Sequence, residues 1–262
     1  MPSAPSPPAT PSPQPLRALL WDVDGTLAET ERDGHRRAFN RTFAAAGLPL
    51  HWDRDRYGEL LAVSGGRERI ALALGALRGE PPPAAELDTL QAAKQRHYAA
   101  LVEAGELALK PGVAALIAEA ASAGLRQAIV TTSGRLAVAA LARCCLGSLA
   151  DALEFWVCGD DVVHKKPDPE GYLQALAKLA LPASAALALE DSSNGLRAAA
   201  AAGLACVISR SHYGAREPAH RFDAALAVVE GLGPAGRVAR GPACGAAGVT
   251  LSYLQQLRAG AC

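Results

Sequence analysis

The stretch LRALLWDVDGT, residues 16–26, runs from an apolar segment into two carboxylates, a glycine and a threonine. An apolar run of this length that ends at a tight polar turn is typical of a buried β-strand. Gly25 allows the chain to turn sharply, so Asp22 and Asp24 can face one pocket. The stretch predicts a strand that presents two acidic side chains at its carboxyl end. An acidic turn without chemistry would carry the same letters.

Four more runs follow the same order, apolar first and polar at the end. They are RQAIVTTS (126–133), EFWVCGDD (154–161), AALALEDS (185–192) and LACVISRS (204–211). Helical stretches lie between them, namely PGVAALIAEAASAGL (111–125), RLAVAALARCCLG (135–147), PEGYLQALAKLAL (169–181) and SNGLRAAAAAGL (193–204). This alternation predicts right-handed β-α-β units and an α/β fold with a mostly parallel sheet. Ligands of such sheets bind where the strands end, and every polar ending falls there.

One long segment interrupts the alternation. Residues 31–107 are rich in Ala, Leu, Arg and Glu, have helical periodicity and show no convincing strand. We predict an inserted α-helical cap with hinges near residues 28–30 and 107–110. Its helices are expected at 32–46, 53–62, 66–78 and 84–104. The core then comprises residues 16–30 and 108–262, with a last edge strand in 222–232, a loop at 233–248 and a closing helix at 250–258.

The composition limits the partners. The 26 basic and 26 acidic residues cancel, which argues against a nucleic-acid or membrane-surface partner. No apolar run approaches the roughly 18 residues that span a bilayer. Residues 1–15 are almost all Pro, Ser and Ala, so we predict that they are disordered and form no secretory signal.

The two aspartates suit covalent chemistry on phosphorus. Asp22 at the strand end can attack as a nucleophile. Asp24 is placed to protonate the leaving oxygen and later to deprotonate water. The hydroxyls of Thr131 and Ser133, at the end of another strand, could hold a phosphoryl oxygen or merely cap a helix.

Lys166 and an acidic pair complete the set. Lys166, in Lys-Lys-Pro before a helix, would neutralise the charge on Asp22 and on a phosphoryl group. Glu190 and Asp191 end an apolar strand, where two carboxylates are costly unless they meet a cation. Mg²⁺ prefers hard oxygen ligands, so we predict a magnesium site of Asp22, the Asp24 carbonyl and Asp191, with Glu190 in support.

The cap carries a second candidate feature in SGGRERI (64–70). Arg67 and Arg69 follow a Gly-Gly turn at a predicted helix start, which is well suited to bind a second phosphate or sugar oxygens. A solvated face of arginine and glutamate is the alternative.

These four core motifs, in this order and each at a strand end, resemble the haloacid dehalogenase superfamily. The resemblance implies a Rossmann-like core and a mobile cap that closes over substrate. Dehalogenases lack the second aspartate that phosphatases and phosphomutases carry, so Asp24 favours phosphoryl transfer. The cap lysine of phosphonate hydrolases has no clear counterpart, because Lys94 lies far along the last cap helix.

The stretches ETERDGHRRAFN, WDRDRYGELLAVSGGRER, GDDVVHKKPDP and LEDSSNGLRAA resemble the CbbY-type phosphatases. That branch acts on xylulose-1,5-bisphosphate, a Rubisco inhibitor, so the resemblance implies metabolite repair in a chloroplast stroma, with bacterial cytoplasm as the alternative. It implies substrate contacts from Glu31, His35, Gly66, Arg67, Ser133 and Asn194. Arg67 stands where the branch usually has lysine, which changes the hydrogen-bond geometry.

Two rival functions stay open. A β-phosphoglucomutase-like enzyme would share the core and cap, but no cap lysine follows the Arg67 region as a mutase would need for its sugar. A non-catalytic binding protein is disfavoured because all the core motif residues are present. We expect a monomer that acts on a small phosphorylated sugar.

Overall fold

The computed structural model of the protein describes residues 15–260. The predicted disorder of residues 1–15 therefore lies outside the described residues except for Pro15. Within residues 15–260, none of the helices combines the length and the apolar character that crossing a membrane requires.

A seven-stranded sheet forms the centre of the core, in the order β3-β2-β1-β4-β5-β6-β7. The strands are β1 Ala18–Trp21, β2 Arg126–Val130, β3 Phe155–Val157, β4 Ala186–Glu190, β5 Ala205–Ser209, β6 Ala227–Glu230 and β7 Arg237–Arg240. All neighbouring pairs are parallel except β6 with β7. The predicted α/β, Rossmann-like class is confirmed, and the carboxyl ends of β1, β2 and β4 meet at one edge.

The first strand lies in the middle of the sheet and is buried on both faces. Leu19 and Trp21 pack into one hydrophobic cluster, while Ala18 and Leu20 pack into another on the opposite face. The Trp21 indole donates a hydrogen bond of 3.0 Å to Gln127 Oε1, which satisfies its polar atom in the core. A strand covered on both sides reads as a continuous apolar run, which is what the sequence shows.

Nine helices surround or extend the sheet in the described part of the chain. They are α1 Arg36–Ala45, α2 Arg54–Leu60, α3 Gly66–Arg78, α4 Ala84–Glu103, α5 Val113–Ser122, α6 Arg135–Leu141, α7 Glu170–Leu179, α8 Ser193–Ala201 and α9 Leu251–Gly260. Helices α5, α6 and α9 contribute to the cluster on one face, and α7 and α8 to the cluster on the other. The core helices therefore cover both faces of the sheet.

The first four helices lie between β1 and β2 in sequence and share an aromatic cluster of their own. Phe39, Phe43 and Trp52 pack with ring centroids 4.7–6.1 Å apart, a spacing typical of stabilising aromatic pairs. The chain enters and leaves this helical unit side by side, because Ala28 bridges Leu109. The exact boundaries of a cap at residues 31 and 107 stay a prediction.

Two local structures differ from the sequence reading. Strand β7 lies inside the predicted loop 233–248, where RVAR offers too short an alternation to signal a strand. It forms because β6 supplies a partner, with Val238 opposite Val229. The predicted helix 32–46 begins as a π-helical turn over Glu31–His35 before α1 starts.

Candidate active site

Asp22 lies directly beyond β1 and is almost completely buried. Its Oδ1 accepts a 2.7 Å hydrogen bond from Lys166 Nζ, which also donates 2.6 Å to Glu190 Oε1 and 2.7 Å to the Val130 carbonyl. Within residues 15–260 no donor is hydrogen-bonded to Asp22 Oδ2. One carboxylate oxygen is thus held by the lysine, and the other is available for attack on phosphorus.

The three carboxylates at this edge form a cluster that suits a metal. Oxygen atoms of Asp22, Glu190 and Asp191 lie within 4.8 Å of one another, and all three residues are buried. Burial, together with the charge of Glu190, raises the pKa of Asp22 to about 8 even though Lys166 acts against it. Burial and the charges of Asp22 and Glu190 also raise the pKa of Asp191. These three carboxyl groups outnumber the one Lys166 ammonium that is bonded to them, and such a set of hard oxygen donors fits a divalent cation.

Asp24 is held by three side chains. Thr30 Oγ1 donates to its Oδ1 at 2.5 Å, His35 Nε2 lies 2.8 Å from the same oxygen, and Ser133 Oγ donates to Oδ2 at 2.5 Å. Burial alone would raise the pKa of Asp24, but the charge of His35 and these hydrogen bonds lower it well below its usual range. Both oxygens are therefore fixed in direction next to Asp22.

The predicted hydroxyls lie on the loop after β2. Thr131 is buried, and its Oγ1 accepts a 3.1 Å hydrogen bond from the Ser133 N–H, so this hydroxyl orders the loop. Ser133 contacts Asp24 rather than standing free for a phosphoryl oxygen. Thr132, which the sequence reading passed over between these two, lines the cavity described next.

A cavity of about 810 Å³ lies between the helical unit and the core. Its lining includes Asp22, Asp24, Lys166 and Asp191 from the core and Glu31 and Arg69 from the helical unit. Asn194, at the start of α8, also lines it and comes within 3.4 Å of Ser64. Cavities of roughly 300–1,000 Å³ hold small organic ligands, so the space is large enough for a phosphorylated sugar.

The helical side of the cavity has its own buried charge pair. Arg69 Nη2 lies 3.3 Å from Glu31 Oε1, and Arg69 Nη1 donates 2.9 Å to the Tyr57 hydroxyl. Tyr57 in turn donates to Glu31. These three side chains fix one another, so Glu31 and Arg69 present a preorganised polar wall to the cavity.

Residues 16–203 match the model of the haloacid dehalogenase-like hydrolases. The chain belongs to this family. CbbY of Cereibacter sphaeroides is 50% identical over 199 residues, which cover 76% of this chain and 86% of that protein. The CBBY-like protein of Arabidopsis thaliana is 40% identical over 215 residues, which cover 79% of this chain and 67% of that protein.

A solved structure shows the same arrangement of elements. The crystal structure of a CbbY mutant from Rhodobacter sphaeroides in complex with xylulose-1,5-bisphosphate matches with a TM-score of 0.75 and 45% sequence identity. The match covers 82% of this chain and 94% of that chain. Together with the family and the CbbY relatives, this supports a phosphatase activity for this haloacid dehalogenase-like hydrolase.

Three predicted cap residues lie apart from the cavity lining, and one of them, His35, contacts Asp24 instead. Arg67 points to the surface, where its Nε donates 2.7 Å to Asp88 Oδ1 and its side chain is 41% exposed. Gly66 lies against Gln91 and Phe39, where an added Cβ would come within 2.9 Å of the Gln91 amide. The structure brings Arg69 to the cavity and leaves Arg67 outside it.

The sequence placed Lys94 far along the last cap helix, and the structure shows that it lies beside His35 although it does not line the cavity. Lys94 on α4 is buried, and its Nζ lies 2.9 Å from His35 Nδ1, so two hydrogen bonds connect it to Asp24 through the His35 ring. The distance of Lys94 from the predicted site residues along the sequence did not predict its distance in space, because α4 packs against α1. Lys94 lies four residues before Tyr98 on the same face of α4, and Tyr98 stacks on His35. This i, i+4 spacing was the signal available in the sequence.

Three arginines of the core also line the cavity and were not predicted. They are Arg197 on α8 and Arg216 and Arg221 beyond β5. Arg216 pairs with Asp55 at 2.7 Å, and Arg221 pairs with Glu217 at 3.5 Å. Only Arg197 could have been found from the sequence, because it lies three residues after the predicted Asn194 and therefore on the same side of α8.

Proposed function

We propose that this enzyme dephosphorylates xylulose-1,5-bisphosphate to xylulose-5-phosphate through an aspartyl-phosphate on Asp22, with Mg²⁺ bound at the carboxylate cluster. The observation that carries the proposal is the contact of Asp22 with Lys166 at the floor of a cavity of about 810 Å³. The reaction needs a nucleophile, a fixed positive charge and a general acid–base group beside them, and Asp22, Lys166 and Asp24 can supply these.

The first half of the reaction uses both aspartates. An oxygen of Asp22 attacks phosphorus, the bond from phosphorus to the sugar oxygen breaks, and Asp24 supplies the proton to that leaving oxygen. Lys166 keeps Asp22 oriented and offsets negative charge on the transferred group. Thr30, His35 and Ser133 hold both carboxylate oxygens of Asp24 in fixed directions.

The second half releases phosphate. Asp24 removes a proton from water, the water oxygen bonds to phosphorus, and the phosphorus–oxygen bond to Asp22 breaks. The low pKa of Asp24 suits the unprotonated form that this step starts from. Asp22, Asp191 and Glu190 would hold Mg²⁺, which supplies charge neutralisation to the phosphoryl oxygens when bound.

A sugar with two phosphates suits the rest of the cavity. The wall of Glu31 and Arg69 offers acceptors and donors for hydroxyl groups, and Arg197, Arg216 and Arg221 supply positive charge on the core side. The relative solved with xylulose-1,5-bisphosphate has 45% of its aligned residues in common with this chain, which supports that substrate.

The test is Mg²⁺-dependent phosphate release from xylulose-1,5-bisphosphate, ribulose-1,5-bisphosphate and β-glucose-1-phosphate. We expect at least about tenfold preference for the first. Asp22→Asn should lose activity by on the order of 10⁴-fold, and the exposed Asp151→Asn serves as the matched control. An acid quench during turnover should leave a phosphoryl group on the peptide that contains Asp22. Equal turnover of all three sugars would refute the assigned substrate.

A phosphomutase is the second candidate, because Lys94, a cap lysine that the sequence placed far along the last cap helix, lies beside His35. A mutase would convert β-glucose-1-phosphate to the 6-phosphate without free phosphate. That product in the same assay would replace the phosphatase proposal.

We further propose that the enzyme is a monomer and works where Rubisco does, in a chloroplast stroma or in bacterial cytoplasm. Relatives come from bacteria and from Arabidopsis thaliana. Light scattering of the purified protein tests the monomer, and cell fractionation with mass analysis of the native N-terminus separates the two locations.

A further inference from the structure

Lys110 is a buried lysine to which the reaction above gives no role. Its side chain is 8% exposed and lies where the chain returns from the helical unit to the core. The preceding Leu109 bridges Ala28 across the two connections, and the Lys110 N–H donates 2.8 Å to the Leu27 carbonyl. The residue therefore lies at the core end of the second predicted hinge.

The ammonium group of Lys110 has three backbone acceptors from two separate segments. It donates 2.5 Å to the Gly25 carbonyl in the turn after β1, and 2.8 Å and 3.4 Å to the carbonyls of Arg210 and Ser209 at the end of β5. The nearest carboxylate, Glu29, is 4.0 Å away. An ammonium group has three N–H donors, so all of them can be used in joining these two segments.

The two joined segments lie against a proposed metal ligand. A Cβ added to Gly25 would come 2.0 Å from Asp191 Oδ2 and 2.9 Å from Ser211 Cβ. Gly25 has a φ of +89°, so glycine is needed there both for the turn and for this close approach. Any shift of the Gly25 peptide would move the turn that carries Asp22 and Asp24 relative to Asp191.

We propose that Lys110 is a positioning residue that sets the distance between the Asp22–Asp24 turn and Asp191, and thereby the geometry of the metal-binding carboxylates. This inference rests on the proposed magnesium-dependent reaction. Lys110 acts through backbone carbonyls, does not line the cavity, and has Glu29 at 4.0 Å as its nearest carboxylate.

The position and the charge of Lys110 have opposite effects on the affinity for Mg²⁺. A positive charge this close to the cluster repels a cation, so if charge were its only effect, Lys110→Met would tighten Mg²⁺ binding. If Lys110 holds the ligands in place, the same change weakens binding, because supporting residues around metal sites typically contribute about 10–100-fold in affinity or activity. The sign of the change separates the two.

The experiment compares Lys110→Met, Lys110→Gln and Lys110→Arg with the exposed Lys178→Met as control. Mg²⁺ binding to the substrate-free protein is measured by calorimetry, and kcat and KM are measured separately. We expect Lys110→Met and Lys110→Gln to weaken Mg²⁺ binding and to lower kcat by about 10–100-fold, with KM changed by less than about threefold. Lys110→Arg keeps charge and donors and should recover most of both.

Several outcomes overturn the inference. They are unchanged or tighter Mg²⁺ binding in the neutral variants, a loss of melting temperature with normal kcat in the folded protein, and no recovery in Lys110→Arg. Lys110→Gln keeps a polar end in the buried position and covers the case in which the Met variant does not fold. Failure of the proposed function is a separate result, since it shows as absent turnover in the unsubstituted enzyme whatever the calorimetry gives.

Discussion

The core half and the helical half of this site are assembled by different rules. In the core half, Asp22, Lys166 and Glu190 come from distant parts of the sequence and meet within 2.7 Å contacts. In the helical half, Arg69 reaches the cavity while Arg67, two residues earlier on the same helix, pairs with Asp88 at the surface. Parallel strands gather their carboxyl ends at one edge, whereas the direction of a helical side chain depends on which face packs.

If this comparison holds, the largest effect comes from the core half. Lys166→Met leaves Asp22 and Glu190 as buried carboxylates without their shared cation. We expect kcat to fall by about 10³-fold and the free energy of unfolding to fall by about 3–5 kcal/mol. Steady-state kinetics and urea unfolding measure the two effects, with Lys178→Met as control. A variant that keeps more than a tenth of wild-type kcat would show that the core half tolerates change.

Lys94→Met tests the helical half at a buried cation. The variant removes the partner of His35 Nδ1, and we expect about a tenfold loss in kcat/KM, as for a hydrogen bond between polar groups at least one of which is charged. Phosphate release assays measure it. A loss as large as that of Lys166→Met would erase the difference between the halves.

We also expect Lys94→Met to change the pH dependence of the free energy of unfolding. Burial lowers the pKa of Lys94 to about 8, against the opposing charges of Glu31 and Asp24. The unfolded chain therefore binds more protons between pH 8 and the usual lysine pKa near 10.5, so stability rises with pH across that window and is lost as the pH falls through 8. Lys94→Met should lack this rise and melt about 2–4 °C higher at pH 7. A rise of the same slope in the variant would contradict the assignment.

Within residues 15–260 three exposed ion pairs join the two halves, and one of them, Arg143 with Glu103, links α4 to the segment after α6. Lys165 contacts Glu68 at 2.5 Å and Arg216 contacts Asp55 at 2.7 Å, with the cation on the core in both cases. The double variant Glu68→Gln with Asp55→Asn should lower kcat/KM by about two- to fivefold at low salt, because exposed pairs contribute little each.

Added salt discriminates this effect from a local one. Since salt screens exposed charges, the activity of the unsubstituted enzyme should approach that of the double variant as KCl is raised. Glu86→Gln breaks the Arg78–Glu86 pair, which lies wholly within the helical unit, and should not change the salt response. Parallel salt curves for the enzyme and the double variant would show that these pairs do not hold the halves together.

The sequence predicted the core half well for a physical reason. Asp22 and Asp191 directly follow β1 and β4, and a parallel sheet brings strand ends together whatever the spacing between them, whereas Lys166 lies in the loop between β3 and α7. The reading failed where a contact depends on tertiary packing. Lys94 lies 59 residues from His35 and meets it only because α4 crosses α1, and β7 becomes a strand only because β6 lies beside it.

The smallest effect should come from Arg67, which the sequence grouped with Arg69. The Arg67 guanidinium pairs with Asp88 and is 41% exposed, whereas Arg69 is buried against Glu31 and lines the cavity. We expect Arg67→Ala to leave kcat/KM for xylulose-1,5-bisphosphate within about twofold, since exposed ion pairs contribute little. Arg69→Ala, by contrast, leaves the buried Glu31 carboxylate without its cation and should cost at least about tenfold. Both arginines lie on α3 and carry the same charge, but only Arg69 faces the cavity. The kinetics of the two alanine variants therefore separate the effect of side-chain direction from the effect of charge. If Arg67→Ala lost as much activity as Arg69→Ala, the helix would have to present both arginines to substrate, and the packing rule drawn from the two halves would fail.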